Sequence, residues 1–298
     1  MRINLVGAFT RNFPFGSEIA FAKGLTRIGG HRVTTVDPSL PGQELDHRAD
    51  VTLVFVDAGK YNDELTKTDG VKVVYQPDDS RFPHVAQSME HMRKYCDYAL
   101  TFDQYGAMFA EDIGYRLSRR LLLTADDELY VRKPLVSKQI DLCFVGNISH
   151  GEHHVSRMKM VDLLEQAGFR VAVLNGMYDT RRIVEIYNGS KIVLNHATDV
   201  GQSFGKGYGY QARHFEAGMT GACVLSNDVI DEPDEPVSGF VKFWDEESLL
   251  EMAYQLLRSE NMRRERADEL FMNISRNHRP EHRARELVEF FEKCVACG

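Results

Sequence analysis

The chain has 298 residues, 43% hydrophobic and 27% charged, with a formal net charge of −8; this is a globular composition with room for two domains of about 130–150 residues, each burying its own core. The negative charge argues against a broad nonspecific nucleic-acid footprint, and no window approaches the roughly 18 apolar residues of a membrane span. Five cysteines, an odd number set mostly in apolar runs at Cys96, Cys143 and Cys223, read as reduced core thiols, while the pair Cys294 and Cys297 lacks a second pair to complete a zinc site.

The apolar run at 3–7 (INLVG) begins at once, without the pattern of a signal peptide, which makes the cytoplasm the expected compartment. A loop with Pro14 and Gly16 follows, then an amphipathic run over 17–28 capped by Ser17, a stop at Gly29 and Gly30, and a second strand at 33–37. That is a βαβ unit, with Gly16, Ser17 and Glu18 at its first turn. Apolar runs of strand length at 51–56 and 71–75 have the continuous hydrophobicity of parallel strands covered on both faces. Beyond the second run stands QPDDSRFP at 76–83. Ligands of open α/β sheets bind past the C-terminal ends of strands, so Asp78 and Asp79 are candidates for a general base or for holding acceptor hydroxyls. The same residues also suit a turn and helix cap. A helical pattern over 84–95, a strand at 98–102, a helix to about 113 and a last strand at 121–123 complete the first half. The polar, proline-bearing segment 131–138 reads as a crossing between domains, giving an expected division into 1–134, 135–275 and a C-terminal helix over 276–298.

The second half opens with a strand at 140–145 that ends in Gly146 and Asn147. His150, His153 and His154 crowd the next loop without the carboxylates of a metal site, so His153 is kept as a loop residue able to touch a phosphate or sugar. Arg157, on the following helix, could supply charge to a phosphate. After a strand at 171–174 and a helix at 179–187, the stretch 190–227 carries the strongest local pattern. Lys191 and the apolar run at 192–194 lead through a loop with Gly201, Gly205, Gly207 and Gly209 into a helix over about 210–220 and a strand at 222–225. Ala212, Phe215 and Met219 fall at i, i+3 and i+7 and face a core, which leaves Arg213 and Glu216 together on the opposite side. A helix N-terminus offers unpaired N–H groups and partial positive charge, so Gly209, Tyr210 and Arg213 are candidate diphosphate contacts and Glu216 a partner for ribose hydroxyls. A plain surface ion pair is the alternative. The remainder is a helix capped by Asp245 and an Arg- and Glu-rich helical tail over 262–295.

The run SKIVLN (190–195) followed by RHFEAGMTGA (213–222), supported by DLCFVGN (141–147) and HRPEHRA (278–284), resembles the CgeB-like (spore-maturation type) glycosyltransferases, a branch of the GT-B superfamily. The resemblance implies an α/β chain of two Rossmann-like domains facing an interdomain cleft, with a C-terminal helix crossing back to the first. It implies transfer of a sugar, as by a hexosyltransferase, from a nucleotide-diphosphate sugar to a hydroxyl of a saccharide or small molecule. A UDP-sugar is the foremost donor, and no metal or other cofactor is required. Donor contacts then fall to Gly146, Asn147, Arg157, Lys191, Gly209, Tyr210, Arg213 and Glu216, and cleft contacts to Gly16, Ser17, Glu18 and His153. Arg213 would also stabilise the departing diphosphate, with Asp78 or Asp79 serving the acceptor. Glu216 resembles the second Glu of the E-x7-E motif of the larger retaining GT-B families, and Tyr208 stands where the first Glu would be. Three other readings are open: a phage-type DNA glycosyltransferase acting on a hydroxymethylated base, with Arg11, Arg116, Arg119 and Arg120 on its acceptor face; a GT-B epimerase or hydrolase; and a non-catalytic nucleotide-sugar-binding module.

Overall fold

The computed structural model describes residues 1–9, 17–56, 62–148, 155–177, 179–197, 204–230 and 236–297; Arg11, Gly16, His150, His153, His154 and Gly201 lie outside them. The chain forms two compact units, one of Met1–Asn12, Gly16–Thr124 and Arg279–Gly298, the other of Phe13–Phe15 and Ala125–His278.

The first unit runs β1 (Arg2–Val6), α1 (Glu18–Ile28), β2 (Arg32–Val36), β3 (Val51–Phe55), α2 (Asn62–Leu65), β4 (Val71–Gln76), α3 (Pro83–Met92), β5 (Tyr98–Thr101), α4 (Gln104–Asp112) and β6 (Leu117–Arg120). Its six strands pair in parallel in the order β2-β1-β3-β4-β5-β6. All of β3 and β5 is buried, which is why their sequences read as unbroken apolar runs rather than alternating ones. Two expectations are corrected. The last strand is LSRR, not the apolar run at 121–123, which is buried but lies outside any strand; all four residues of this edge strand are only half-buried, so it needs no apolar run. Ser17 does not cap α1 through its side chain. Its hydroxyl instead donates to the Thr124 carbonyl at 2.9 Å and accepts the Thr124 N–H at 3.0 Å.

The second unit runs β7 (Ile140–Val145), α5 (Val155–Gln166), β8 (Val171–Leu174), α6 (Thr180–Gly189), β9 (Ser190–Asn195), β10 (Lys206–Gly207), α7 (Ala212–Met219), β11 (Cys223–Val229), β12 (Val241–Phe243), α8 (Glu246–Arg258) and α9 (Glu260–Asn277). The sheet is parallel in the order β10-β11-β9-β7-β8, and β12 also pairs in parallel with β11. Phe144, Leu194, Leu225 and Phe243 of successive strands pack with Met160 and Leu164 of α5 and Leu249 and Leu256 of α8.

The expected solvent face of α7 does not exist: all eight of its residues are buried, Arg213 and Glu216 included. Arg213 and Glu216 are covered by the ends of β7 and β9 and by Tyr130 and Tyr187, while α9 packs on the other side of the helix, where a Cβ at Gly218 would overlap Ile274 and Leu270. The helical tail is likewise two helices. It breaks at His278, and Pro280 opens α10 (Pro280–Cys297), as suits a residue with no N–H to donate at a first turn. That helix belongs to the first unit and packs on α1, where Gly24 leaves room for the Pro280 carbonyl and Arg27 pairs with Glu281 at 3.1 Å. Among the described residues no helix is long and apolar enough to cross a membrane.

Candidate functional site

In the second unit the strand order reverses between β7 and β9. A reversal leaves a crevice beyond the C-terminal ends of the two strands, where open α/β sheets take their ligands. Arg213 spans this point. Its Nε donates to the carbonyl of Val145, which ends β7, and its Nη1 donates to Asn195 Oδ1 at 2.9 Å, which ends β9. The guanidinium lies 5.0 Å from the ring centroid of Phe144 and occupies the space beside Gly146, where any Cβ would collide with it. Gly146 has φ +150, a conformation that also favours glycine. The turn after β7 is thus bare backbone laid over a fixed cation. Burial lowers the Arg213 pKa below the ordinary arginine range, with Tyr187 and Glu216 opposing.

Around this cation the structure gathers further groups. Arg157, in the first turn of α5 and buried, donates to the Asn147 carbonyl at 3.3 Å. Glu216, one turn beyond Arg213, accepts a hydrogen bond from the Tyr130 hydroxyl at 2.8 Å. Burial and then the Glu216 charge push Tyr130 well above the usual tyrosine range, so it stays a donor. His214 accepts the Gln211 N–H at Nδ1, 3.1 Å away, and its Nε2 lies 3.1 Å from Ser226 Oγ. A ring that accepts at Nδ1 is neutral and carries its proton on Nε2, and burial depresses this histidine to about 3. His196, just past β9, donates Nε2–H to the Phe204 carbonyl at 2.8 Å and is depressed to about 4, again by burial. Asn227 holds the Ala197 backbone at both N–H and C=O.

Gly146, Asn147, Arg157, Arg213 and Glu216 are therefore brought together. Gly209 adopts φ +64 ahead of α7, and Tyr210 is fully buried, edge-on to His214 at 5.4 Å. Lys191 is not part of this group. It stands at the start of β9, four residues or about 13 Å from Asn195 along the strand, and pairs with Asp141 at 2.7 Å. Sequence reasoning passed over Asn195, His214, Ser226, Asn227 and Tyr130. A signal exists for three of them, because IVLN and VLSN each end an apolar strand in polar residues at the edge where ligands bind.

In the first unit the reversal lies between β1 and β3. Glu18 packs against Gly7, just past β1, beside Phe55, which ends β3. Val56 follows with φ +68, a costly conformation for a β-branched residue. Burial raises the Glu18 carboxyl above its ordinary range, a backbone hydrogen bond opposes this, and the Asp78 charge adds to it. Asp78 is exposed at the end of β4. Asp79 is buried and takes Arg81 in a bidentate pair at 2.7 and 2.6 Å, with Asp103 3.5 Å from the same guanidinium. Among the described residues no group of three or more His, Cys, Asp or Glu side chains is set to hold a metal ion.

A family model described as glycosyl transferase-like matches residues 136–289, just over half of the chain. This protein belongs to the glycosyl transferase-like family. Comparison with curated proteins finds no match. Among solved structures, an alpha-glucosyltransferase (AGT) in complex with UDP aligns at TM-score 0.71 and 11% identity, over 98% of this chain and 100% of that one. An alpha-glucosyltransferase in complex with UDP-glucose and DNA containing an abasic site aligns at 0.69 and 11%, over 98% and 99%. AviGT4, a glycosyltransferase involved in avilamycin A biosynthesis, aligns at 0.64 and 13%, over 100% and 98%. At such identities the likeness is one of fold, and this glycosyltransferase has the GT-B fold with its two parallel sheets.

Proposed function

We propose that this glycosyltransferase, a CgeB-like member of the GT-B superfamily, moves a hexose from a UDP-sugar to the hydroxyl of a saccharide or small molecule. The reading rests on one observation, the Arg213 guanidinium pinned across the ends of β7 and β9 beneath Gly146. The sugar donor's diphosphate sits over the Gly146 and Asn147 backbone and the α7 N-terminus at Gly209 and Tyr210, with Arg213 and Arg157 supplying positive charge. Glu216, oriented by Tyr130, takes the ribose hydroxyls. In the transfer the bond from the anomeric carbon to the phosphate oxygen breaks and a bond to the acceptor oxygen forms. Negative charge gathers on the leaving diphosphate, where a fixed cation acts most strongly; removing one such stabilising group costs roughly 10²–10³ in rate. The acceptor proton passes to a carboxylate of the first unit, Asp78 being more accessible than the ion-paired Asp79.

The UDP and UDP-glucose bound by the structural neighbours support the choice of base and sugar. One neighbour's DNA complex supports a second reading, in which the acceptor is a hydroxymethylated base. Calorimetric titration with UDP, GDP, dTDP and CMP, followed by assay of UDP release from UDP-glucose with saccharide or hydroxymethylated-DNA acceptors, tests both. Selective UDP binding and acceptor-dependent release are expected. Nucleotide binding without turnover on any acceptor would mark a binding module, acceptor-independent release a hydrolase, and no nucleotide binding would end the donor assignment.

A further inference from the structure

A second charged cavity lies in the second unit, at the opposite edge of its sheet from Arg213. It has a volume of about 500 Å³ and is bounded by the residues that lead into β7, β9 and β11, by the C-terminal end of α7 and by the first turns of α9. Six cations line it, Arg132, Lys133, Lys138, Lys191, Arg263 and Arg264, against one carboxylate, Glu260. In a chain of net charge −8 this is a local inversion of sign.

The six are not equivalent. Three are held by protein partners: Arg132 by Asp268, Lys191 by Asp141, and Arg263 by the Leu256 and Leu257 carbonyls that end α8. Arg132 is further fixed by Gly221, whose φ of +68 and missing Cβ let the arginine stem lie across it, much as Gly146 admits Arg213. Lys133, Lys138 and Arg264 have no carboxylate partner among the described residues. The result is a positively charged wall with three further cations facing the same space. Desolvation and then the Arg132 charge lower the Lys138 pKa below the usual lysine range, the response of an ammonium in a field that nearby carboxylates do not cancel. The volume falls in the range of small-molecule sites and exceeds what one monovalent anion fills. Arginine forks and lysine ammoniums together match phosphate oxygens.

We propose that this cavity is a binding site, separate from the one at Arg213, for a small molecule carrying two or more phosphate groups. The probe is inorganic tripolyphosphate, titrated calorimetrically into the full chain with and without saturating UDP. The variants are the double substitution Lys133→Glu with Arg264→Glu, both exposed positions, and Lys138→Gln. Binding that persists in the presence of UDP, weakens at least tenfold in the double variant and weakens less in Lys138→Gln is the expected result, with the unliganded Tm of each variant near that of wild type. Displacement of tripolyphosphate by UDP, or equal affinity in the double variant, would overturn the proposal by assigning the binding elsewhere. So would the absence of tripolyphosphate binding alongside charge-dependent retention of a DNA duplex, because the face would then serve a nucleic acid. If UDP itself does not bind, the donor assignment fails alone, and the effect of the double variant on tripolyphosphate still decides this one.

Discussion

Gly146→Ala is the sharpest test of the donor site, because the new methyl group enters the space held by the Arg213 guanidinium. The backbone there has φ +150, and forcing a side chain into such a region costs on the order of 1–3 kcal/mol. The arginine must also retreat from the Val145 carbonyl or from Asn195 Oδ1; losing one charge-assisted hydrogen bond from a buried group adds about 1.5–3 kcal/mol. Together the variant should lose about 2.5–6 kcal/mol of stability, a large share of the roughly 5–15 kcal/mol of an ordinary domain, so it should unfold at lower urea. Equilibrium urea unfolding at 25 °C reads the stability, and calorimetry reads UDP affinity, expected to fall at least tenfold as the cation shifts. A variant within about 0.5 kcal/mol of wild type that binds UDP equally well would show that Arg213 is not fixed beneath this turn, and the donor assignment would go with it.

Four further outcomes are expected. Gly189→Ala, at the end of α6 where a Cβ meets nothing within 4 Å, should stabilise the chain by about 0.5–1 kcal/mol in the same unfolding assay. His214 and His196 titrate near 3 and 4 in the folded chain and near 6.5 when unfolded, so the unfolded state binds more protons between those limits. Stability is then complete above pH 6.5 and falls as the solution is acidified toward pH 4, by up to about 1.4 kcal/mol per pH unit for each histidine; His214→Gln, measured by urea unfolding at pH 7, 6 and 5, should flatten that slope. Asp78→Asn should leave unfolding within about 0.5 kcal/mol of wild type while reducing kcat about 10²-fold or more. Asp79→Asn, which weakens the bidentate partner of the half-buried Arg81 and leaves it only Asp103, should instead cost about 1–3 kcal/mol of stability.

Much of the fold was legible because parallel strands buried on both faces leave an unmistakable trace. VTLVF and IDLCFV announce themselves. LSRR does not, since an edge strand can be built from polar residues. The larger misreading, of α7, has the same root: periodicity reports which residues share a helix face, not what covers that face. The ends of β7 and β9 and the Tyr130 hydroxyl, all distant in sequence, cover Arg213 and Glu216. Lys191 shows the complementary error. It is close in sequence to the polar loop that follows β9, yet strand geometry sets it about 13 Å from Asn195, in a different charged environment.

The same construction recurs with opposite sign in the two units. In each, a glycine just past the first strand carries no Cβ and a charged side chain from a nearby helix rests against it: Glu18 against Gly7, Arg213 against Gly146. Each glycine lies at the reversal of its own sheet. Glycosyl transfer needs these two signs for different atoms, positive charge for the departing diphosphate and negative charge for the acceptor proton. In the reading proposed above, the Arg213 cation serves the donor and the carboxylates of the first unit serve the acceptor. It follows that charge changes near Gly146 should act first on UDP affinity and changes near Gly7 and Asp78 on turnover, a division that KM and kcat measured on the two sets of variants would expose directly.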